Sequence, residues 1–172
     1  MSASSDQPSA SDPSGSSASN QSPFDQTSAK VNQTLFLMIA VLALAGMVVS
    51  VVSLQRHYAK SASAFCDFGE RFNCDIVNRS EYSSLMGIPV AGIGVVGYGV
   101  LFLLATFYRS RAETRLRLLI AAVAGLAFAL YLSYVEGYVL ETWCILCLSS
   151  LALIAVITIL AAVLKARAGS NA

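Results

Sequence analysis

Residues 35–54 read LFLMIAVLALAGMVVSVVSL, a run without a single charge. At about 1.5 Å of rise per residue it makes a helix of about 30 Å, the thickness of a bilayer's hydrocarbon core. Three more apolar runs follow, at residues 88–108, 118–140 and 143–164. Lipid offers no partner for backbone N–H and C=O groups, so uncharged runs of this length satisfy those groups within themselves as helices. The fold class expected is an all-α membrane protein, a four-transmembrane-helix bundle in a lipid bilayer. Composition agrees: 56% of the 172 residues are hydrophobic and 12% charged, with a mean hydropathy of +0.65, well outside the range of an ordinary soluble domain. A net charge of +1 supplies no electrostatic footprint for nucleic acid, and none is expected as a partner.

The flanks divide the chain. Residues 1–33 are dominated by Ser, Ala, Gln, Asn, Asp and Pro and cannot bury enough apolar surface to offset chain entropy, so they read as a disordered cytoplasmic tail. No basic lead precedes the first apolar run, which argues against a signal peptide. Residues 34–167 form the membrane domain and 168–172 a short C-terminal tail. Lys30, the four arginines of residues 109–117, Lys165 and Arg167 fall on one side of a four-span topology, whereas the opposite loop, 55–87, balances four basic residues with four acidic ones. The positive-inside rule puts both termini in the cytoplasm.

That topology gives the four cysteines their meaning. Cys66 and Cys74 lie in the 55–87 loop, and Cys144 and Cys147 open the fourth apolar run. All four then sit at or beyond the outer membrane surface, where disulfides persist. Cysteines three apart share a helix face, and one at a helix N-terminus has its thiolate favoured by unpaired N–H groups and the macrodipole. The plainer reading is that they are small apolar packing residues, but their gathering on one surface favours redox chemistry. A water-facing pair and a pair at the lipid boundary suit a two-step relay by thiol–disulfide exchange. In it, Cys66 or Cys74 meets a soluble partner, and Cys147, one turn deeper, touches an apolar electron acceptor.

Other signals weigh less. His57, the only histidine, reads as an interfacial residue beside Gln55, Arg56 and Tyr58. Residues 75–86 mix polar and apolar positions as a short interfacial helix does, and Gly87-Ile88-Pro89 ends it and starts the second span. Gly92-Ile93-Gly94-Val95-Val96-Gly97 matches a dinucleotide fingerprint, but no strand precedes it and it lies within an apolar run. Its glycines suit close helix approach in lipid, with room for a flat ligand. Glu136 is an ionisable group within a span, and such groups are functional by default. Proton uptake is its functional reading and contact with headgroups the alternative.

Taken together, Cys66-x7-Cys74, Cys74-Asp-Ile-Val-Asn-Arg-Ser80, Gly87-Ile-Pro-Val-Ala91 with Gly97-Tyr98, and the terminal Cys144-x-x-Cys147 resemble the vitamin K epoxide reductase family in its bacterial branch. The resemblance covers roughly residues 35–165. It implies a four-helix bundle around a quinone, capped by the loop and its short helix. It also implies that Cys66 exchanges with a thioredoxin-fold partner, that Cys74 passes electrons to Cys144, and that Cys147 reduces the quinone. Ser80 matches a hydroxyl position of the family's lid, as loop support or as a helix cap. Tyr82 stands where the family often has tryptophan, as a ring over the pocket or an ordinary interfacial aromatic. Many bacterial relatives carry a fused thioredoxin-like domain; here the expected partner is a separate thioredoxin-fold (DsbA-like) protein. Leu151 occupies the place of a tyrosine in the animal enzymes.

The function expected is a quinone-dependent disulfide oxidase of the bacterial cytoplasmic membrane, with ubiquinone or menaquinone as electron acceptor and its cysteines on the periplasmic side. The rivals are a quinone or vitamin K epoxide reductase and a metal-binding or scaffold protein using four thiolates. Neither an x7 spacing nor a pair inside the membrane edge is a zinc-finger pattern, and no metal is expected.

Overall fold

A computed structural model describes residues 23–58, 73–85, 87–108 and 112–170. Helix α1 runs Pro23–Tyr58, α2 Cys74–Arg79, α3 Val90–Thr106, α4 Ala112–Tyr138 and α5 Ile145–Ser170. Among the described residues, three stretches are long and apolar enough to cross a membrane: Gln26–Tyr58, Glu113–Tyr138 and Ile145–Arg167. The fourth apolar helix, α3, has 17 residues.

Two boundaries differ from those the sequence suggests. Helix α1 begins at Pro23, inside the segment expected to be tail, and α5 continues to Ser170, through most of the expected C-terminal tail. Both follow from helix cooperativity. A span already nucleated adds each further residue for one more backbone bond, so moderately helix-favouring polar flanks join it. Proline at the first position costs nothing, because its missing N–H would have had no partner there.

The four long helices pack side by side, α1 most extensively against α3 and also along α5, α4 mainly against α5, and α3 more lightly against α4. Ile39, Ala43, Leu118, Ala122, Ile157, Ala161 and Leu164 are completely buried at their centre. The alanines matter as much as the large residues, because apolar burial gives little gain between helices already in lipid and close backbone packing does the holding. Polar contacts add to it. The Tyr98 hydroxyl of α3 donates to the Ser150 carbonyl of α5 at 2.8 Å, and the Thr158 hydroxyl, bonded first to the Ile154 carbonyl of its own helix at 2.7 Å, shares its proton with the Ala122 carbonyl of α4 at 3.2 Å. Bonds of this kind contribute about 0.6–2 kcal/mol each in a membrane.

Close approach is concentrated at two glycines. A Cβ on Gly46 would fall within the Tyr98 ring, and one on Gly94 would lie 2.8 Å from the Ser50 hydroxyl. The α1–α3 contact therefore requires glycine at 46, whereas at 94 the Ser50 hydroxyl would have to turn away. Gly92 and Gly97 have open space instead of a neighbour.

Between α1 and α3 the chain builds a lid. Asn73 caps α2, its side-chain oxygen accepting the Ile76 N–H at 3.1 Å. The interfacial helix expected over residues 75–86 is shorter than that. It ends at Arg79, is followed by a 3-10 turn at Glu81–Ser83, and gives way to a hairpin of β1 (Ser84–Leu85) and β2 (Ile88–Pro89), with Ser84 opposite Pro89 and Leu85 opposite Ile88. Serine hydroxyls explain the early end. Ser80 donates to the Val77 carbonyl at 2.9 Å and Ser83 to the Ser80 carbonyl at 2.6 Å, taking acceptors that a continuing helix would use. Gly87 turns the hairpin at φ +82°, where a side chain would be strained.

Gly46→Ala should lower the thermal unfolding midpoint of the detergent-solubilised protein, at a cost of about 1–3 kcal/mol for the overpacked contact. Gly97→Ala should leave that midpoint nearly unchanged. Equal melting of both variants would contradict the packing described.

Candidate functional site

The lid and the start of α5 are brought together by backbone pairing. The Asn73 N–H donates to the Trp143 carbonyl at 3.2 Å, and the residues that follow on each strand are Cys74 and Cys144. Both are buried, at 1% and 0% exposure, and they form one cluster with Val77, against which Leu140, Leu146 and Cys147 pack. Cys74 is in a disulfide, whereas Cys144 and Cys147 are free thiols. Cys66 lies outside the described residues.

Cys144 immediately precedes α5, and its carbonyl accepts the Leu148 N–H at 3.0 Å, the first bond of that helix. This is the N-cap position, where the free N–H groups of the first turn face the sulfur. The Cys144 thiol is held below the usual cysteine range, first by a hydrogen bond from the Cys147 side chain, with the Cys147 and Leu146 N–H groups adding to it and burial opposing. A lowered first thiol in a Cys-x-x-Cys pair is the form that exchanges disulfides readily at neutral pH.

The turn into Cys144 is fixed by Glu136. At the end of α4, the Leu140 N–H bonds the Val135 carbonyl at 3.0 Å and the Thr142 N–H bonds the Glu136 carbonyl at 3.2 Å. Glu141 takes the left-handed conformation at φ +50°, a strain of about 1–2 kcal/mol for a residue with a Cβ. The chain then doubles back, so that the Cys144 N–H donates to the Glu136 carboxylate at 3.2 Å. The same carboxylate lies against the Cys147 thiol. Glu136 is only 2% exposed, so its carboxylate is turned into the protein, at the wall of the cavity beside the cysteines. Trp143 fits this tight return because Gly137 has no side chain: a Cβ there would lie 3.0 Å from the indole.

Beside the cysteines lies a cavity of about 420 Å³, walled by α1, the lid, α3, α4 and α5. Its wall is mainly apolar and includes the flat glycine face of α3, Gly94 and Gly97; polar groups converge from Ser53, His57, Asn78, Ser80, Glu136 and Ser150. Cys147 is on this wall, with Cys144 behind it in the buried cluster. An apolar slot of this size with a few convergent polar groups suits a flat, ring-shaped small molecule. Tyr82 borders it with a ring about half exposed, and Ser80 borders it while closing the end of α2.

Several members carry little mark in the sequence alone. Asn78 is buried; its amide nitrogen donates to the Cys74 carbonyl at 2.9 Å and reaches the Cys144 sulfur at 3.9 Å. Its oxygen accepts the Ser53 hydroxyl at 2.7 Å. The spacing of four from Cys74 was the available signal, since i and i+4 share a helix face. His57, read as interfacial, reaches the cavity wall. Its Nδ1 is 2.5 Å from the Asn78 carbonyl, which can only accept, so Nδ1 carries the proton.

The model of the vitamin K epoxide reductase family matches residues 37–162 of this chain. The chain therefore belongs to that family of membrane oxidoreductases, and with three membrane-length apolar helices it is an integral membrane protein.

Replacing Cys147 by Ala removes the largest influence holding the Cys144 thiol down, so the Cys144 titration midpoint should rise. Cys147→Ser keeps a donor and should move it less. Ultraviolet thiolate absorbance followed against pH reads both, and an unmoved midpoint in Cys147→Ala would refute the assignment.

Proposed function

We propose that this member of the vitamin K epoxide reductase family is a quinone-dependent thiol–disulfide oxidoreductase that supports disulfide formation outside the cytoplasm. It reoxidises a separate thioredoxin-fold partner and passes two electrons through two cysteine pairs to membrane quinone. The observation that carries this reading is the graded placement of the sulfurs: Cys74 against Cys144 in one buried cluster, and Cys147 on the wall of the adjoining cavity. The four-span topology, with both termini cytoplasmic, belongs to the same proposal. At about 1.5 Å per residue, the 17 residues of α3 make about 25 Å, near the hydrocarbon thickness.

Electron accounting follows the sulfurs. Partner thiols reduce the disulfide of Cys66 and Cys74, and the partner leaves oxidised. The Cys74 thiolate attacks Cys144 of a closed Cys144–Cys147 disulfide, forming a Cys74–Cys144 bond and releasing Cys147. Cys66 then attacks Cys74, which restores the loop disulfide and frees the Cys144 thiolate. The helical pair now holds two electrons, and the loop disulfide is closed again.

A quinone bound in the cavity supplies a two-electron, two-proton acceptor. Cys147, on the cavity wall, would give up electrons as Cys144 closes back onto it, so that two sulfurs are oxidised and one S–S bond forms. Glu136, touching both the Cys147 thiol and the Cys144 N–H, would take the Cys147 thiol proton and pass it toward the cavity; the second proton would come from water at the outer surface, because Cys144 enters the step as a thiolate. The glycine face of α3 would give the ring a flat surface, and the Ser150 hydroxyl on the same wall is a candidate partner for its oxygens. Direction is set by potential: about 30 mV is about 1.4 kcal/mol for a two-electron couple, so an oxidising quinone pool draws electrons from the partner.

Anaerobic stopped-flow with a reduced thioredoxin-fold protein and a soluble quinone tests the reading. Wild type should form one quinol per partner disulfide; Cys147→Ala should accept electrons but make no quinol, and Cys66→Ala should accept none from the partner. Quinol formation unchanged in both variants would overturn the relay. Glu136→Gln, which keeps an acceptor for the Cys144 N–H, should slow quinol formation about a hundredfold, the usual scale of a lost general acid–base group. A rate within twofold of wild type would remove Glu136 from the proton path.

A further inference from the structure

We infer that Asn78 is the positioning residue for electron transfer between the two cysteine pairs: its amide holds the Cys74 backbone and aims an N–H at the Cys144 sulfur. The inference rests on the relay proposed above and assigns it a residue that is not a cysteine. The Asn78 amide nitrogen is 2.9 Å from the Cys74 carbonyl and 3.9 Å from the Cys144 sulfur. The Asn78 oxygen accepts from Ser53 at 2.7 Å. Asn78 and Ser53 are both buried, so water does not compete for these groups.

The amide has only one sensible orientation. A Ser hydroxyl can donate or accept, so Ser53 alone would tolerate either. The Cys74 carbonyl only accepts, and a flipped amide would set two carbonyl oxygens against each other in a buried site. The NH₂ end must therefore face Cys74 and Cys144. Its first proton is spent on the Cys74 carbonyl, and the second is the one available to sulfur.

That second proton acts when Cys144 carries charge. In the exchange that restores the loop disulfide, Cys66 attacks Cys74, the Cys74–Cys144 bond breaks, and its electron pair leaves on Cys144. An N–H directed at that sulfur strengthens as the charge appears, because hydrogen bonds to ions are shorter and roughly twice as strong as neutral ones. At 3.9 Å the contact is long for a neutral thiol and has room to contract. Reduction of quinone by the already reduced Cys144–Cys147 pair needs no movement at Cys74. A group acting between the pairs should therefore affect one half-reaction far more than the other.

The half-reactions separate in rapid mixing. Partner-to-helix transfer is followed by loss of the Cys144–Cys147 disulfide after mixing with reduced partner, without quinone. Helix-to-quinone transfer is followed by quinol formation from protein reduced beforehand by dithiothreitol. Asn78→Leu, of similar size but without a donor, should slow the first about tenfold or more, slow the second by a much smaller factor, and raise the Cys144 titration midpoint. Ser53→Ala, which frees the amide to rotate without touching either cysteine, should move the first half-reaction and the midpoint the same way by a smaller factor. Ser53→Thr should restore both.

Equal slowing of both half-reactions by Asn78→Leu and Ser53→Ala would show a structural role only and overturn the inference, as would an unmoved midpoint with an unchanged first half-reaction. Failure of wild type itself to pass electrons between its pairs would instead overturn the relay. If Asn78→Leu does not fold, the Ser53→Ala and Ser53→Thr pair decides: no change in Ser53→Ala overturns the inference.

Discussion

One backbone hydrogen bond, from the Asn73 N–H to the Trp143 carbonyl, decides where the sulfurs meet. It joins segments separated by seventy residues of chain at the step just before each bears a cysteine. Asn73 also caps α2 through its side chain, so one residue starts the lid helix and docks it. Cys74 and Cys144 are then buried together, and exchange between them needs no long excursion of the lid. Proximity of this kind turns a bimolecular reaction into an intramolecular one, and the gain in effective concentration is large.

Glu136 performs the matching service on the other side. Its carbonyl takes the Thr142 N–H and its carboxylate the Cys144 N–H, so a single residue closes α4 and seats the first residue before α5. The strained backbone at Glu141 persists because these bonds determine it from both ends. An ionisable group is expensive at this depth, and its retention is understandable when it fixes the turn while touching the Cys147 thiol.

The bundle supplies a firm frame around these contacts. Glycine at 46 and 94 lets α1 and α3 approach, and glycine at 97 leaves the space that becomes the cavity floor. One small-residue stretch thus both joins helices and opens a slot. Lipid rewards only packing and polar pairing between helices, so the cavity survives where neighbouring contacts are tight enough to hold its walls apart. Tyr98 bonded to Ser150 is one such strut, and it borders the cavity itself.

By itself the sequence determined the helical class, the position of the apolar segments and the family, because uncharged runs of membrane length leave the backbone no other way to satisfy its polar groups, and because four cysteines in that pattern are specific in combination. It also marked Cys144, Cys147 and Glu136, whose chemistry or cost stands out against an apolar background. Only the tertiary structure decided how they combine: that Glu136 bonds the Cys144 N–H and is buried, that Cys74 is buried against Cys144, and that the lid breaks after six residues of helix. Asn78 and Ser53 were silent for the same reason. A polar side chain in a loop or near a helix end looks ordinary along the chain, and it gains a role only when segments distant in sequence bury it against a sulfur.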